Sequence, residues 1–134
     1  MQQFLDQASH NQDFHDTIVG NFNNRFYDWK IIVLFYVAVH LLKALAAKRN
    51  IDIGRTHNEI EKSVNPDRVN AVMRITKTAW KNYYALYLYS RTARYEGLTD
   101  CATFESLMQT DHSYCLFHLS DFKKYIIGQG VPLS

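Results

Sequence analysis

Apolar residues recur along most of this chain at intervals of three and four, the spacing that lines one face of an α-helix. From Gln2 to Val19 the stripe is Phe4, Ala8, Asn11, His15 and Ile18, flanked by Leu5 and Val19. Gly20, Asn21, Asn23 and Asn24 then interrupt it. From Tyr27 to Lys48 the pattern is stronger: Ile31, Leu34, Phe35, Ala38, Leu41, Leu42 and Leu45 form a continuous apolar stripe. The opposite side carries Trp29, Val33, Tyr36 and His40 rather than plain polar residues. A helix apolar on both sides belongs at the centre of a bundle or at an oligomer interface. Lys48 and Arg49 fall in its last turn, where the helix dipole favours positive charge.

The segment 50–56 reads as a loop punctuated by Gly54. Thr56 followed by Glu59 has the spacing of a capping box, which predicts a short helix from His57 to Ser63. Asn65-Pro66-Asp67 reads as a second start signal, with Asn as cap and Pro at the first helical position. The helix predicted from it runs from Pro66 to Tyr95, with Ile75, Ala79, Tyr83, Leu86, Ser90 and Ala93 on one stripe. Tyr84, Leu88, Arg91 and Tyr95 make a flanking stripe, and Gly97 is the expected stop. A short helical piece is expected over Thr103–Met108, and a last helix over Asp111–Ile127, ending at Gly128. Short connections between long helices make neighbours antiparallel. The expected fold is therefore all-α, a four- to five-helix up-and-down bundle, with residues 1–134 as one domain.

Composition adds little except in the aromatics. At 47% hydrophobic and 21% charged the chain is ordinary for a globular protein. It is 14% aromatic, with nine Tyr and eight Phe, enough to fill a wide core or to line a second surface. A formal charge of +2 is too small to imply nucleic-acid binding by itself. Cys101 and Cys115 are too few for a disulfide framework, so a reduced, cytoplasmic chain is expected. Residues 1–16 contain no apolar run of the signal-peptide kind. The apolar run 31–47, interrupted by His40 and Lys43, reads as a buried helix rather than a membrane span.

Few residues suggest chemistry on their own. His40 lies one turn after Tyr36 on the same face; it reads as a polar group facing a cleft between helices or, more plainly, as a core histidine held by one hydrogen bond. Arg55 and His57 sit where a loop enters a helix, a place that attracts anions, or else a solvated cap. Arg91, Arg94 and Tyr95 end the long helix. The arginines there complement the dipole, or hold a phosphate or carboxylate among aromatic neighbours. His112, Cys115 and His118 recur every three residues on one face, but without a zinc spacing or a fourth ligand, so no metal is expected. Glycine-rich phosphate loops, CxxC pairs, His-Glu-x-x-His and nucleophile elbows are absent.

Taken together, several segments resemble a known family. Asp28-Trp29-Lys30-Ile31-Ile32-Val33-Leu34-Phe35-Tyr36-Val37-Ala38-Val39-His40 resembles the second helix of HEPN domains, where an aromatic pair precedes Ala and His. His10-Asn11-x-x-Phe14 is similar to the first-helix pattern of short stand-alone bacterial members. His57, after a Gly-containing loop, resembles their Ser/Thr-His element. Ser90-Arg91-Thr92-Ala93-Arg94-Tyr95 resembles their third-helix ending. The resemblance covers nearly the whole chain in order. It implies a small helical bundle, commonly a homodimer, that binds RNA, a nucleotide or a partner protein in bacterial defence or toxin–antitoxin systems. An antitoxin or a nucleotidyltransferase is the kind of protein partner it implies.

Many HEPN proteins are metal-independent RNases that use an Arg, four to six residues, then a His. That spacing is absent here. The reading that follows is a binding module with Arg55, His57, Arg91, Arg94 and Tyr95 around an anion, without cofactor. The alternative is an RNase with a different set, His40, His57 and Arg91, supplying base, acid and cation. A third is a purely structural dimer joined over Trp29, Tyr36 and Tyr84.

Overall fold

The computed structural model describes residues 1–95 and 101–133, with the side chains of 95 and 101–103 left aside. Five helices follow in order: α1 (Gln2–Asn21), α2 (Tyr27–Lys48), α3 (His57–Val64), α4 (Lys77–Tyr95) and α5 (Cys101–Gly128). All regular structure among the described residues is helical, as the three-and-four spacing requires. Four long helices build the bundle, and α2 is its centre: α1, α4 and α5 all pack on it, and α4 also packs on α5.

The core follows the stripes. Ile31, Leu34, Phe35, Ala38, Leu41, Leu42 and Leu45 of α2 are all buried, as are Ile75, Ala79, Tyr83, Leu86, Ser90 and Ala93. By length and composition alone α2 is apolar enough to cross a membrane, and 72% of its apolar window lies inside the bundle. Its end is a Schellman turn. Ile51 N–H donates to the Ala46 carbonyl (2.9 Å) and Asn50 N–H to that of Ala47 (3.1 Å), with Asn50 left-handed at φ 56°.

α3 starts as its cap predicts. The Thr56 hydroxyl accepts from Glu59 N–H at 3.2 Å. Glu59 reaches back to Arg55 N–H (2.9 Å), one residue earlier than in the usual box. Gly54, at φ 91°, lets that carboxylate arm fold over the loop, where a Cβ would collide with it. A helix of eight residues is marginal without such support. Thr56→Ala is expected to cost about 1 kcal/mol, read as a lower urea midpoint with unchanged slope, and Thr56→Ser to cost little.

Two boundaries differ from expectation. The helix anticipated from Pro66 begins only at Lys77. Asn65 spends its side-chain oxygen on Asp67 N–H (3.0 Å) in a turn that closes α3 instead of opening a new helix. The chain then doubles back: Met73 N–H and Ile75 N–H donate to the Ser63 and Val64 carbonyls at the end of α3 (2.8 and 3.1 Å). Those bonds satisfy groups a terminating helix leaves open. Thr76 is the real cap of α4, accepting from Ala79 N–H at 3.1 Å. The break anticipated between Met108 and Asp111 is also absent, because α5 is continuous. No Gly or Pro interrupts it, and Met108, His112, Cys115, Leu119, Phe122 and Ile126 form one buried stripe. Its left-handed terminal glycine is Gly130, at φ 89°. Gly97 lies outside the described residues.

Candidate ligand-binding face

The flank of α4 beside its core stripe carries Trp80, Tyr84 and Tyr87, spaced four and three residues apart. That spacing places successive rings one above another. Trp80 stacks with Tyr84 (centroids 5.4 Å apart, planes 17° apart) and Tyr84 with Tyr87 (5.9 Å, 12°). His57, at the first position of α3, extends the row: its imidazole lies on Tyr87 at 3.5 Å and 8°. The four rings form a nearly parallel ladder from the start of α4 to α3. Phe35 of α2 braces Tyr87 from the core side (5.7 Å).

His57 is half-buried, and its Nδ1 is buried without a hydrogen-bond partner. Burial pulls its pKa below the ordinary histidine value, with Glu61 opposing and Arg94 adding to the fall. The ring is therefore neutral at neutral pH. Arg94, near the end of α4, is the cation that reaches it electrostatically. The same guanidinium donates a long bond to the Tyr36 hydroxyl on α2 (3.4 Å). Tyr36 leads to His40, whose Nδ1 donates to the Tyr36 carbonyl at 2.8 Å and leaves Nε2 as an acceptor.

The residues singled out in the sequence are distributed as follows. Arg94 acts on His57 through its charge and bonds to Tyr36. His40 is half-buried on α2, and Arg91 is exposed on α4. No hydrogen bond, ion pair or ring contact joins His40, His57 and Arg91 to one another among the described residues. Arg55 is exposed and contributes its backbone N–H to Glu59. The Tyr95 side chain lies outside the described part. Trp29 is 55% exposed, Tyr36 40% and Tyr84 36%, whereas Val33 is buried and His40 half-buried, so the second side of α2 faces outward only at its aromatic positions. His112, Cys115 and His118 point to separate places. His118 pairs with Asn82 (2.9 Å), Cys115 is fully buried, and His112 meets His15. No group of three or more metal-ligating side chains has a metal-binding arrangement among the described residues.

Nothing in the residue types of Trp80 and Tyr87 marks them as site residues, although their four-and-three spacing with Tyr84 is legible in the sequence. The contact of Tyr87 with His57 is not, because it joins separate elements. No protein-family model, curated protein or solved structure matches this chain.

Proposed function

We propose that this chain is a HEPN-like binding module whose α3–α4 face takes RNA or a nucleotide, in preference to a partner protein. The observation that carries the reading is the ladder Trp80–Tyr84–Tyr87–His57, whose last ring feels the charge of Arg94. Flat rings accept bases of any identity, each stacked base contributing about 1–3 kcal/mol. A guanidinium at the end of the row is suited to a phosphate, and exposed Lys77, Lys81 and Arg91 lie on the same helix. The outward Trp29 and Tyr36 support a homodimer seam bordering this face. A defence or toxin–antitoxin setting, with an antitoxin or nucleotidyltransferase partner, follows from the family resemblance alone, and a cytoplasmic location from the two cysteines.

A second reading is supported by one observation. A neutral imidazole within the field of an arginine can act as a base with a phosphate-stabilising cation. On that reading the protein is a metal-independent RNase using His57 with Arg94.

Fluorescence anisotropy with a labelled single-stranded RNA, and with ATP, in EDTA tests both. Wild type is expected to bind, and Arg94→Ala and Tyr84→Ala each to weaken binding about tenfold or more. Binding indifferent to both substitutions removes the face from the proposal. Cleavage of the RNA in EDTA, lost in His57→Ala, selects the RNase reading.

A further inference from the structure

His15 of α1 and His112 of α5 meet inside the bundle, 97 residues apart in the chain, with Nε2 to Nε2 at 2.9 Å. They are 3% and 7% exposed. Such a bond needs one ring to donate and the other to accept. The Asp16 carboxylate accepts from the Nδ1–H of His15 (2.9 Å), so neutral His15 presents its Nε2 lone pair and His112 Nε2–H donates to it.

The surroundings are charged on every side. From α2, Lys30 is 1% exposed, donates to the Phe22 carbonyl (2.7 Å) and sits 4.1 Å from the centre of the Tyr27 ring. The Tyr27 ring in turn lies against His112. From α5 come Glu105, which acts on Lys30, and Lys123, which acts on His15 and Asp16. Asp111 adjoins His112 in the chain. From α1, Gln12 accepts from Lys123 (2.7 Å) and donates to Asp16 (3.0 Å).

We infer that the His15–His112 pair is a pH-sensitive latch that holds α1 against α5 while the pair is uncharged and releases α1 when it is protonated. One extra proton puts an imidazolium beside the buried Lys30. A second puts two N–H groups face to face and destroys the bond. α1 lies mainly along α2 and meets α5 at few points, so what yields is the α1–α5 seam. Among the described residues only the His pair and the Lys123–Gln12 bond link α1 to α5 through side-chain hydrogen bonds. Further along the same seam the helices do not close on each other. A cavity of about 690 Å³ lies there, floored by Leu5, Ala8, Val37, Leu41 and Ile127.

The sign follows from proton binding. Burial, with His15 and Lys30 adding, lowers His112 from 6.5 to about 4, and burial also lowers His15. The latched form thus binds fewer protons than the released one. Latching is complete above about pH 6.5 and fades as the pH falls towards about 4, the two rings titrating as a unit.

Hydrogen exchange read by mass spectrometry, corrected for intrinsic rates, tests this at about pH 7.5 and about pH 4.5. In wild type, α1 protection is expected to fall on the order of a hundredfold relative to α4 at the lower pH. His112→Gln keeps an N–H donor towards His15 but leaves His15 as the only titrating ring, and is expected to shrink the differential fall to about tenfold or less. Equal loss in α1 and α4, or an unchanged fall in His112→Gln, overturns the latch. Should that variant not fold, the wild-type imidazole NMR titration decides: two independent transitions near the ordinary 6.5 overturn the proposal. Protection of α1 by equimolar zinc at about pH 7.5 assigns the pair to a metal and also overturns it.

Discussion

Tyr83→Ala is expected to cost about 3–5 kcal/mol and to lower the melting temperature by roughly 10–15 °C. Tyr83 is fully buried on α4. It stands where three helices meet, its ring 5.8 Å from Phe35 of α2 and 5.7 Å from Phe122 of α5, with Trp80 at 5.7 Å on its own helix. Truncation removes contacts to all of them and leaves a void that rigid neighbours cannot fill. For a domain of this size that is a large share of the whole stability.

The hydroxyl of the same side chain points the other way. It is buried without a hydrogen-bond partner, and burial pushes its ionisation far above the ordinary tyrosine range. A buried, unpaired hydroxyl is a net cost, so Tyr83→Phe is expected to raise stability by about 1 kcal/mol. Chemical denaturation of the two variants side by side separates ring from hydroxyl. A Phe variant weaker than wild type by a similar amount would mean that the hydroxyl is satisfied inside the protein.

Alkylation of Cys115 is expected to be slower than that of an ordinary thiol by about a thousandfold or more. The thiolate is the reacting form, and burial, then Asp111, pushes this thiol from 9.0 up to about 12. That alone removes about three decades of reactive fraction at neutral pH, and the side chain has no exposed surface to admit a reagent. The measurement is iodoacetamide labelling followed by mass, in a Cys101→Ser background. No label is expected in native buffer and complete label in denaturant. Rapid native labelling would show that the inner face of α5 opens, contrary to the continuous stripe from Met108 to Ile126.

Periodicity determined the helical class, the limits of α2 and the inward faces of α2 and α4, and the capping pair determined the start of α3. The reason is local: a helix must bury one stripe, and Thr56 with Glu59 caps within its own turn. What depends on competition between local signals was misread. Asn65-Pro66-Asp67 has the residues of a helix start, yet the chain closes α3 there, pairs Met73 and Ile75 with its last carbonyls and buries both side chains in the core. The site divides in the same way. His57 and Arg94 stand out in the sequence as residue types, and the Trp80–Tyr84–Tyr87 spacing is visible in one helix. Their convergence, with Tyr36 from α2, is not visible, because residues on different helices meet only through the bundle's packing. The burial of Lys30 and the pairing of His15 with His112 are tertiary decisions in the fullest sense. Each of these side chains reads as ordinary until three helices exclude water around it, and only that exclusion makes its proton costly.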